Sequence, residues 1–418
     1  MRKGNGIHGL AQSTRTIRDT EIALVRKETY SCKQCASCRE WNWHDEHLTG
    51  FLPGVTKTGF VICPVYRHTE GFQSDFAEGK VRLVQGLVDG SISKSDYLRD
   101  KLFQCTQCAA CTEYCPQARV DKLDPAEVIR TGRGLVMKNG GNPPREIMKM
   151  THRPVEPKPL PTSWIPKMNE SNSEAPLAYF PGCVFGESFK QPDIAKSMIS
   201  ILKGLGHPFR VITDGWCCGY PAFISGDTSW ATTNAQIVSE MLHKLKVKRL
   251  VVSCAWCFRM FSREYPRLLG RPFEVKVFHA VEFLHQELLT GHLKLLEPWP
   301  VVATYHDPCQ LGRRCGVFDS PRELAAAIPG IKLVEMVENQ EQSLCSGGGG
   351  GVASAYPQLG NAIAMTRTRQ AEDIGAQVIL TACPYCRRSL RRGITSLGIK
   401  LEVIDLVEAV AKSMICGA

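Results

Sequence analysis

The amino-acid sequence predicts an α/β protein in which a mostly helical domain is followed by two repeated α/β domains. Strands and helices alternate after residue 176, which is typical of a mostly parallel sheet covered by helices. The cysteine pattern of residues 176–298 recurs in residues 299–418, which indicates a duplicated unit. A proline-rich stretch separates both from another cysteine-rich region, and 418 residues give room for three domains.

The N-terminal region contains two runs of cysteines. Residues 1–27 are polar, and we predict an arm there, followed by a domain over residues 28–141. The first run reads Cys32-x-x-Cys35-x-x-Cys38, with Cys63-Pro64 after 24 further residues, and the second reads Cys105-x-x-Cys108-x-x-Cys111-x-x-x-Cys115-Pro116. The second spacing is that of bacterial ferredoxins and indicates [4Fe–4S] clusters. Apolar periodicity predicts helices over 76–88, 95–103 and 124–131, and therefore a mostly helical two-cluster ferredoxin domain.

The ferredoxin spacing also predicts which cysteines share a cluster. In two-cluster ferredoxins the fourth cysteine of each run binds the other cluster. We therefore predict one [4Fe–4S] site formed by Cys32, Cys35, Cys38 and Cys115, and another formed by Cys63, Cys105, Cys108 and Cys111. The alternatives are two structural zinc sites, or a free buried cysteine at position 63. Zinc motifs usually contain separated Cys-x-x-Cys pairs rather than triples, and the Cys63-Pro64 pair resembles the end of a cluster motif.

Residues 142–175 contain seven prolines, and a helix does not continue through such a sequence. We predict an extended linker and a domain boundary here.

The cysteines of the duplicated unit lie at nearly constant offsets. The first half has Cys183, Cys217, Cys218, Cys254 and Cys257, and the second has Cys309, Cys345, Cys383 and Cys386, offset by 126, 128 and 129 residues. Adjacent cysteines such as Cys217 and Cys218 rarely form a disulfide with each other, whereas clustered thiolates bind soft metals. A structural zinc ion is the alternative to an iron–sulfur cluster in the first half.

The predicted strands of each half end just before its cysteines. Strands are predicted at 177–180, 209–213, 249–253, 301–305, 332–336 and 377–381, with helices at 193–205, 232–245, 320–327 and 361–374 between them. Ligands bind outside the carboxyl ends of parallel strands, so each half should gather its cysteines at one sheet edge. Each Cys-x-x-Cys pair also begins a helix, and a helix N-terminus favours the thiolate form of cysteine.

Several of these motifs resemble those of the CCG cysteine-rich family of iron–sulfur oxidoreductases. They are Tyr179-Phe180-Pro181-Gly182-Cys183, Cys217-Cys218-Gly219, Tyr305-His306-Asp307-Pro308-Cys309 and the two Cys-x-x-Cys pairs. The resemblance covers nearly all of residues 28–412, and the order of the domains looks most like the catalytic subunits of membrane-type heterodisulfide reductases. It implies that Cys183, Cys217, Cys218, Cys254 and Cys257 hold a noncubane [4Fe–4S] cluster and are the catalytic residues for disulfide chemistry.

The second half departs from the family pattern because Ser346 replaces one cysteine of the adjacent pair. Its four thiolates, Cys309, Cys345, Cys383 and Cys386, suit a cubane [4Fe–4S] cluster or a zinc ion equally well. A five-ligand site completed by Ser346 or Cys315 is a third alternative. The glycine run 347–351 could bind a phosphate or let the backbone pass close to a cluster. We favour the second interpretation, because the Lys-Ser/Thr of a P-loop is absent.

The predicted function is that of an iron–sulfur redox subunit resembling heterodisulfide reductase. Electrons from a partner would reach the noncubane cluster through the two ferredoxin clusters and reduce a disulfide. No G-x-G-x-x-G fingerprint opens a helix after a strand, so we predict that a flavoprotein or a membrane cytochrome b partner supplies the flavin, haem or quinone. The alternative is an electron conduit without a disulfide substrate, between a dehydrogenase or electron-transfer flavoprotein and a membrane quinone or low-potential acceptor. Ser346 slightly favours this alternative, and a zinc scaffold without redox activity is a third class.

The composition adds limits on location and partners. The net charge of +10 is dispersed and its basic residues are not interleaved with aromatic residues, so nucleic acid is not an expected partner. The N-terminus has no secretory h-region, and no run of 18 apolar residues predicts a transmembrane segment. We expect a cytoplasmic protein that meets a membrane only through a partner, since clustered cysteines in a reducing compartment indicate metal or redox chemistry.

Overall fold

The predicted fold class is confirmed. The structure is a computed structural model, and it describes residues 19–41, 60–138, 142–151, 175–182, 191–213 and 215–414. These residues form a helical N-terminal domain and two α/β halves, each built on a four-stranded parallel sheet.

The N-terminal domain is built from short helices around its cysteine loops. Its elements are α1 (Asp19–Ser31), β1 (Glu40–Trp41), β2 (Phe60–Val61), α2 (Ala77–Asp89), α3 (Asp96–Phe103), α4 (Ala110–Glu113), α5 (Pro116–Val120), α6 (Pro125–Met137) and α7 (Arg145–Thr151). The predicted helices correspond to α2, α3 and α6, although α6 continues six residues beyond its predicted end at Thr131. Asp124 caps α6 by accepting hydrogen bonds from the N–H groups of Ala126 and Glu127, at 3.1 and 3.2 Å.

Two helices lie where none was predicted. α1 begins at Asp19, within the predicted arm, because its buried Val25 packs into the core of α2 and α6. α7 lies within the predicted linker. It begins directly after the proline pair, and Ile147 packs against Phe103 and Met137, which gives this short helix a tertiary partner. Residues 152–174 of the linker lie outside the described residues, and the domain boundaries themselves stay predictions.

The first half contains a parallel sheet with the strand order β4-β3-β5-β6. Its elements are β3 (Leu177–Phe180), α8 (Pro192–Gly204), β4 (Phe209–Val211), α9 (Tyr220–Ser225), α10 (Thr228–Lys244), β5 (Arg249–Val252), α11 (Ala255–Arg259), α12 (Tyr265–Leu269), β6 (Lys276–His279) and α13 (Ala280–Leu289). Each predicted strand of this half matches an observed one, while the fourth strand, β6, was not predicted.

The second half repeats this topology, with the strand order β8-β7-β9-β10. Its elements are β7 (Val301–His306), α14 (Gly312–Cys315), α15 (Asp319–Ala326), β8 (Ile331–Leu333), α16 (Val352–Ala355), α17 (Pro357–Asp373), β9 (Val378–Thr381), α18 (Pro384–Leu397), β10 (Glu402–Asp405) and α19 (Leu406–Ser413). Even the last helix cap is repeated, since His279 caps α13 with Glu282 and Asp405 caps α19 with Glu408. The duplication predicted from the cysteine offsets is therefore visible in the fold.

The two halves share one hydrophobic core. α19 packs against α8, and α13 packs against α15, so helices of one half cover the other. This shared core fixes the carboxyl edges of the two sheets relative to each other, and both edges carry the cysteines.

Candidate iron–sulfur centres

The first predicted cluster site is an open pocket at the surface of the N-terminal domain. Its lining includes Cys32, Cys35, Cys38 and Cys115. Cys35 is exposed, so this site lies at the protein surface. The structure thus brings together the four cysteines that the ferredoxin spacing assigned to one cluster, including Cys115 from the second run.

The second predicted site lies deeper in the domain. The thiols of Cys105, Cys108 and Cys38 all act electrostatically on half-buried Cys111, and those of Cys105 and Cys108 act on Cys63. Burial raises the pKa of Cys63 to about 11. Cys63 thus lies near Cys105 and Cys108 although 41 residues separate it from that run, and it also acts on Cys38 of the first site.

The two cysteine loops share one backbone shape that suits an anionic cluster. Gln34 and Ala36 in the first loop, and Gln107 and Ala109 in the second, have φ values between +56° and +61°. Non-glycine residues with positive φ are uncommon, and alternating right- and left-handed residues turn successive N–H groups toward one side, where they favour an anion. Both loops therefore fit the [4Fe–4S] clusters that their spacing predicts.

A row of closely spaced side chains, each of which interacts with the next, crosses from the first cysteine-rich half to the second. In order, the row contains Cys218, Cys257, Cys254, Cys383, Cys386 and Ser346. Cys254, Cys257, Cys383 and Cys386 are at most 7% exposed. Each half was expected to gather its cysteines at its own sheet edge. The structure additionally places the two edges face to face, with Cys254 and Cys383 at the junction.

Matching strands and helices position the two Cys-x-x-Cys pairs. Cys254 and Cys383 follow β5 and β9, and each is the N-cap residue of the next helix. Trp256 and Tyr385 occupy the same position within their motifs, and their rings stack at 3.5 Å between centroids with an interplanar angle of 18°. Tyr220 stacks on the other side of Trp256, with the centroids 4.4 Å apart. Three aromatic rings therefore fill the space beside the cysteine junction.

The remaining cysteines repeat a local geometry in both halves. The N–H of Gly219 donates to Cys217 Sγ and that of Gly347 donates to Cys345 Sγ, each at 3.4 Å, and both glycines have a positive φ. Cys345 is hydrogen-bonded to Cys309, and this bond, helped by Arg313 and Gln310 against the effect of burial, lowers the pKa of Cys309 to about 6. Among the described residues, no three His, Cys, Asp or Glu side chains are arranged to hold a single metal ion.

Cys183 and Cys315 are the two other cysteines for which the sequence suggested a role. Cys183 lies outside the described residues, but the chain reaches the site just before it, since a Cβ on Gly182 would lie 3.3 Å from Cys257 Sγ. Cys315 hydrogen-bonds to Ser262 and Arg263, and no cysteine is among its main electrostatic partners. This position argues against the alternative in which Cys315 completes the second site, because α14 turns this side chain toward the first half.

The glycine run packs directly against the second ferredoxin loop. A Cβ on Gly349 would lie 2.3 Å from the carbonyl oxygen of Thr106, and one on Gly350 would lie 2.1 Å from that of Cys105. This close approach agrees with the interpretation that the run lets the backbone pass near a cluster. It also places the Cys105 loop against the second half, the one that contains Ser346.

Buried arginines hold the N-terminal domain against both halves, and sequence reasoning missed them. Arg133 donates hydrogen bonds to the carbonyl groups of Leu102, Phe103, Cys105, Ile224 and Gly350, which belong to all three domains. Glu127 contacts Arg130, Arg259 and Arg314, three cations that also come from all three domains. Burial alone would raise the pKa of Glu127, but these cations outweigh it and hold the pKa well below its usual value. The sequence alone does not show which arginine of a helix will contact another domain.

Models of two protein families match this chain. A 4Fe-4S dicluster domain model matches residues 28–118, and a cysteine-rich domain model matches residues 177–262 and 303–391. The N-terminal domain therefore binds two [4Fe–4S] clusters. None of the helices in the described ranges is both long and apolar enough to cross a bilayer.

Several named proteins are similar to this chain. A subunit of the dihydromethanophenazine:CoB–CoM heterodisulfide reductase from Methanosarcina acetivorans is 30% identical over 417 residues, which covers 97% of this chain and 99% of that protein. The EtfAB:quinone oxidoreductase of Syntrophomonas wolfei is 26% identical over 75% of this chain and 47% of its own length. A crystal structure of a hypothetical protein from Helicobacter pylori has a TM-score of 0.53 at 11% identity, covering 82% of this chain and 68% of that one, which shows a similar fold alone.

A two-cluster ferredoxin-type domain joined to a duplicated cysteine-rich domain defines an iron–sulfur oxidoreductase. The nearly full-length match to the Methanosarcina protein identifies the branch. The chain belongs to the family of cysteine-rich iron–sulfur subunits of heterodisulfide reductases.

Proposed function

We propose that this chain is the iron–sulfur subunit of a redox complex and that it reduces a disulfide. The reaction centre is the site formed by Cys183, Cys217, Cys218, Cys254 and Cys257, which hold a noncubane [4Fe–4S] cluster. The observation that carries this proposal is the continuous row of side chains from Cys218 to Ser346, which joins the first half to the second half, whose glycine run packs on the Cys105 loop. The name of the Methanosarcina relative supports a disulfide as substrate.

The protein's own contribution is to place the sites one after another, from the surface to the buried interior, where water is excluded. Iron–sulfur clusters supply one-electron transfer at a tunable potential. The pocket at exposed Cys35 faces the surface, the group of Cys63 lies deeper, and buried Cys108 lies near Cys309 and Cys345 of the second half. From there the buried row leads to Cys257. Reduction of one disulfide to two thiols consumes two electrons and two protons, so this order lets a partner deliver electrons singly at the surface.

The second half is part of this path in the proposal. Cys309, Cys345, Cys383 and Cys386 hold either a [4Fe–4S] cluster or a zinc ion. The cluster is favoured because no three such side chains in the described residues are arranged for a single metal ion. Ser346 interacts with Cys386 and supplies no thiolate. The partner is a flavoprotein or a membrane cytochrome b, docked near the Cys35 pocket. The proposed location is the cytoplasm, with any contact to a membrane made through that partner.

A second candidate function is an electron conduit without a disulfide substrate. The stack of Trp256 on Tyr385 favours it, because these rings occupy the space between the two Cys-x-x-Cys helices where a substrate could approach both halves. The name of the Syntrophomonas relative, an EtfAB:quinone oxidoreductase, also favours a role of this kind.

Anaerobic purification followed by metal analysis and EPR spectroscopy tests these proposals. We expect about twelve irons if the two ferredoxin clusters and the first half are loaded, and about sixteen if the second half also holds a cubane cluster. After oxidation with added thiol, disulfide chemistry predicts a paramagnetic signal that disappears in Cys217→Ser and persists in the control Cys315→Ser. A fully loaded protein without that signal supports the conduit. About eight irons with zinc would contradict the cluster assigned to the first half and would leave the second half only its zinc alternative.

A further inference from the structure

Arg313 lies where the ferredoxin domain meets the second cysteine-rich half. It belongs to α14, four residues after Cys309. Its Nε donates to the carbonyl oxygen of Cys108 at 2.8 Å, and its Nη1 donates to those of Glu341 and Ser343 at 2.9 and 2.6 Å. Its Nη2 is shielded from solvent and has no hydrogen-bond partner. Within the described part of the chain, this cation is therefore held by carbonyl groups and by no carboxylate.

Arg133 is likewise held by carbonyl groups, but three other interface arginines differ in this respect. Arg314 pairs with Asp124, Arg259 pairs with Glu127 and Glu264, and Arg387 pairs with Glu408. Each of these cations has a carboxylate that offsets its charge, as is usual for charges withdrawn from water. The charge of Arg313 remains available to other anions nearby.

The anions that face Arg313 belong to two different cysteine sites. The largest electrostatic attractions on its guanidinium come from Cys108, then Cys309 and then Cys345. Cys108 belongs to the second ferredoxin site, and the other two belong to the second half. Cys108, Cys309 and Cys345 also pack in one cluster at this interface, next to the carbonyl group of Cys108 that Arg313 binds. One cation is thus shared by two redox sites on opposite sides of a domain interface.

We infer that Arg313 is a positioning residue that raises the reduction potentials of both sites between which it lies. One cation thereby ties the potential of the second ferredoxin site to that of the second-half site. Reduction adds negative charge to a site, and a nearby fixed cation stabilises the reduced form more than the oxidised form. This inference rests on the proposed function, because it requires iron–sulfur clusters in both sites. Arg313 itself binds no metal.

Potentiometric titration of the full-length, anaerobically purified protein, followed by EPR, tests this inference. In Arg313→Gln we expect the ratio of reduced to oxidised cluster to fall on the order of tenfold at a fixed ambient potential, for one ferredoxin cluster and for the second-half cluster. For a one-electron couple this corresponds to about 59 mV. The cluster bound by Cys32, Cys35, Cys38 and Cys115 should titrate as in the unmodified protein.

The charge-retaining variant separates electrostatics from packing. Arg313→Lys loses the guanidinium geometry but keeps the cation. The reduction potentials of both clusters should therefore stay close to those of the unmodified protein. Arg369→Gln removes an equal charge from an exposed site on α17 of the same half and should leave all potentials unchanged. Equal shifts in the Lys and Gln variants, or no shift in Gln, would overturn the inference. If the unmodified protein, purified anaerobically, contained no iron, the proposed function itself would be contradicted.

Discussion

Replacing Gly350 with alanine tests the packing of the ferredoxin domain on the second half. Gly350 has a φ of +62°, and a Cβ there would lie 2.1 Å from the carbonyl oxygen of Cys105 and within 3.0 Å of two other backbone atoms of that loop. These are backbone atoms, so the loop itself must move. Gly398 is a matched control, because it has a φ of +66° and no atom within 4 Å of its Cβ position.

The size of the difference follows from these two environments. Both variants incur about 1 kcal/mol from the left-handed backbone conformation of a residue with a Cβ. Only Gly350→Ala adds the cost of overpacking, typically about 1–3 kcal/mol. We therefore expect Gly350→Ala to be destabilised by about 2–4 kcal/mol and Gly398→Ala by about 1 kcal/mol.

Apparent unfolding temperatures at one fixed scan rate rank the two variants, because that temperature depends on scan rate when a protein unfolds irreversibly. Gly350→Ala should unfold at a lower temperature than Gly398→Ala. EPR after rapid mixing with a one-electron donor gives a second measurement, since displacement of the Cys105 loop should slow electron transfer into the cysteine-rich halves. The Gly398 variant should transfer electrons at the unmodified rate. Equal destabilisation of the two variants, with unchanged transfer in both, would refute this packing.

Three further predictions concern individual side chains. Cys63→Ser should lose about four irons and the EPR signal of the Cys105 group only, and loss of the other ferredoxin signal would contradict the exchange of fourth ligands. Cys315→Ser should retain all iron in metal analysis, because Cys315 contacts Ser262 and Arg263, and a loss of iron would make it a ligand after all. Burial first, and then the charges of Asp124 and Glu127, raise the pKa of Glu28 from 4.5 to about 7, so the folded state becomes less stable as the pH rises through that interval. Glu28→Gln should therefore stabilise the protein at pH 8 by about 1 kcal/mol after allowance for partial exposure, with no gain near pH 4.5. Denaturant unfolding at both pH values measures this, and a gain independent of pH would show that the carboxyl group is not its cause.

The sequence was most informative where a local spacing defines a chemical group. The eight N-terminal cysteines could be divided between two clusters because in two-cluster ferredoxins the fourth cysteine of each run binds the other cluster. The structure brings Cys32, Cys35, Cys38 and Cys115 to one pocket, and the ligand set of each cluster stays a prediction. The three strands predicted in each half followed from short apolar runs ending at cysteines. The fourth strands, β6 and β10, were missed because no cysteine motif follows either one and each leads directly into a capped helix.

Features that depend on how the domains pack were not predictable. The junction between Cys254 and Cys383 joins residues that are 129 positions apart, and no periodicity reports which sheet edges face each other. α7 was missed because a proline pair was interpreted as a break, whereas proline also fits the start of a helix. Arg313 and Arg133 look like ordinary helical arginines until the carbonyl groups around them are known.

The hydrogen bonds of Arg133 have a consequence for turnover. One guanidinium holds carbonyl groups of all three domains at distances of 2.6–3.4 Å and is fully buried. If the ferredoxin domain moved between an electron donor and an acceptor, it would have to break these hydrogen bonds in every cycle. Electron transfer within the chain therefore requires no movement of domains, and its rate should not change when glycerol or sucrose raises the solvent viscosity.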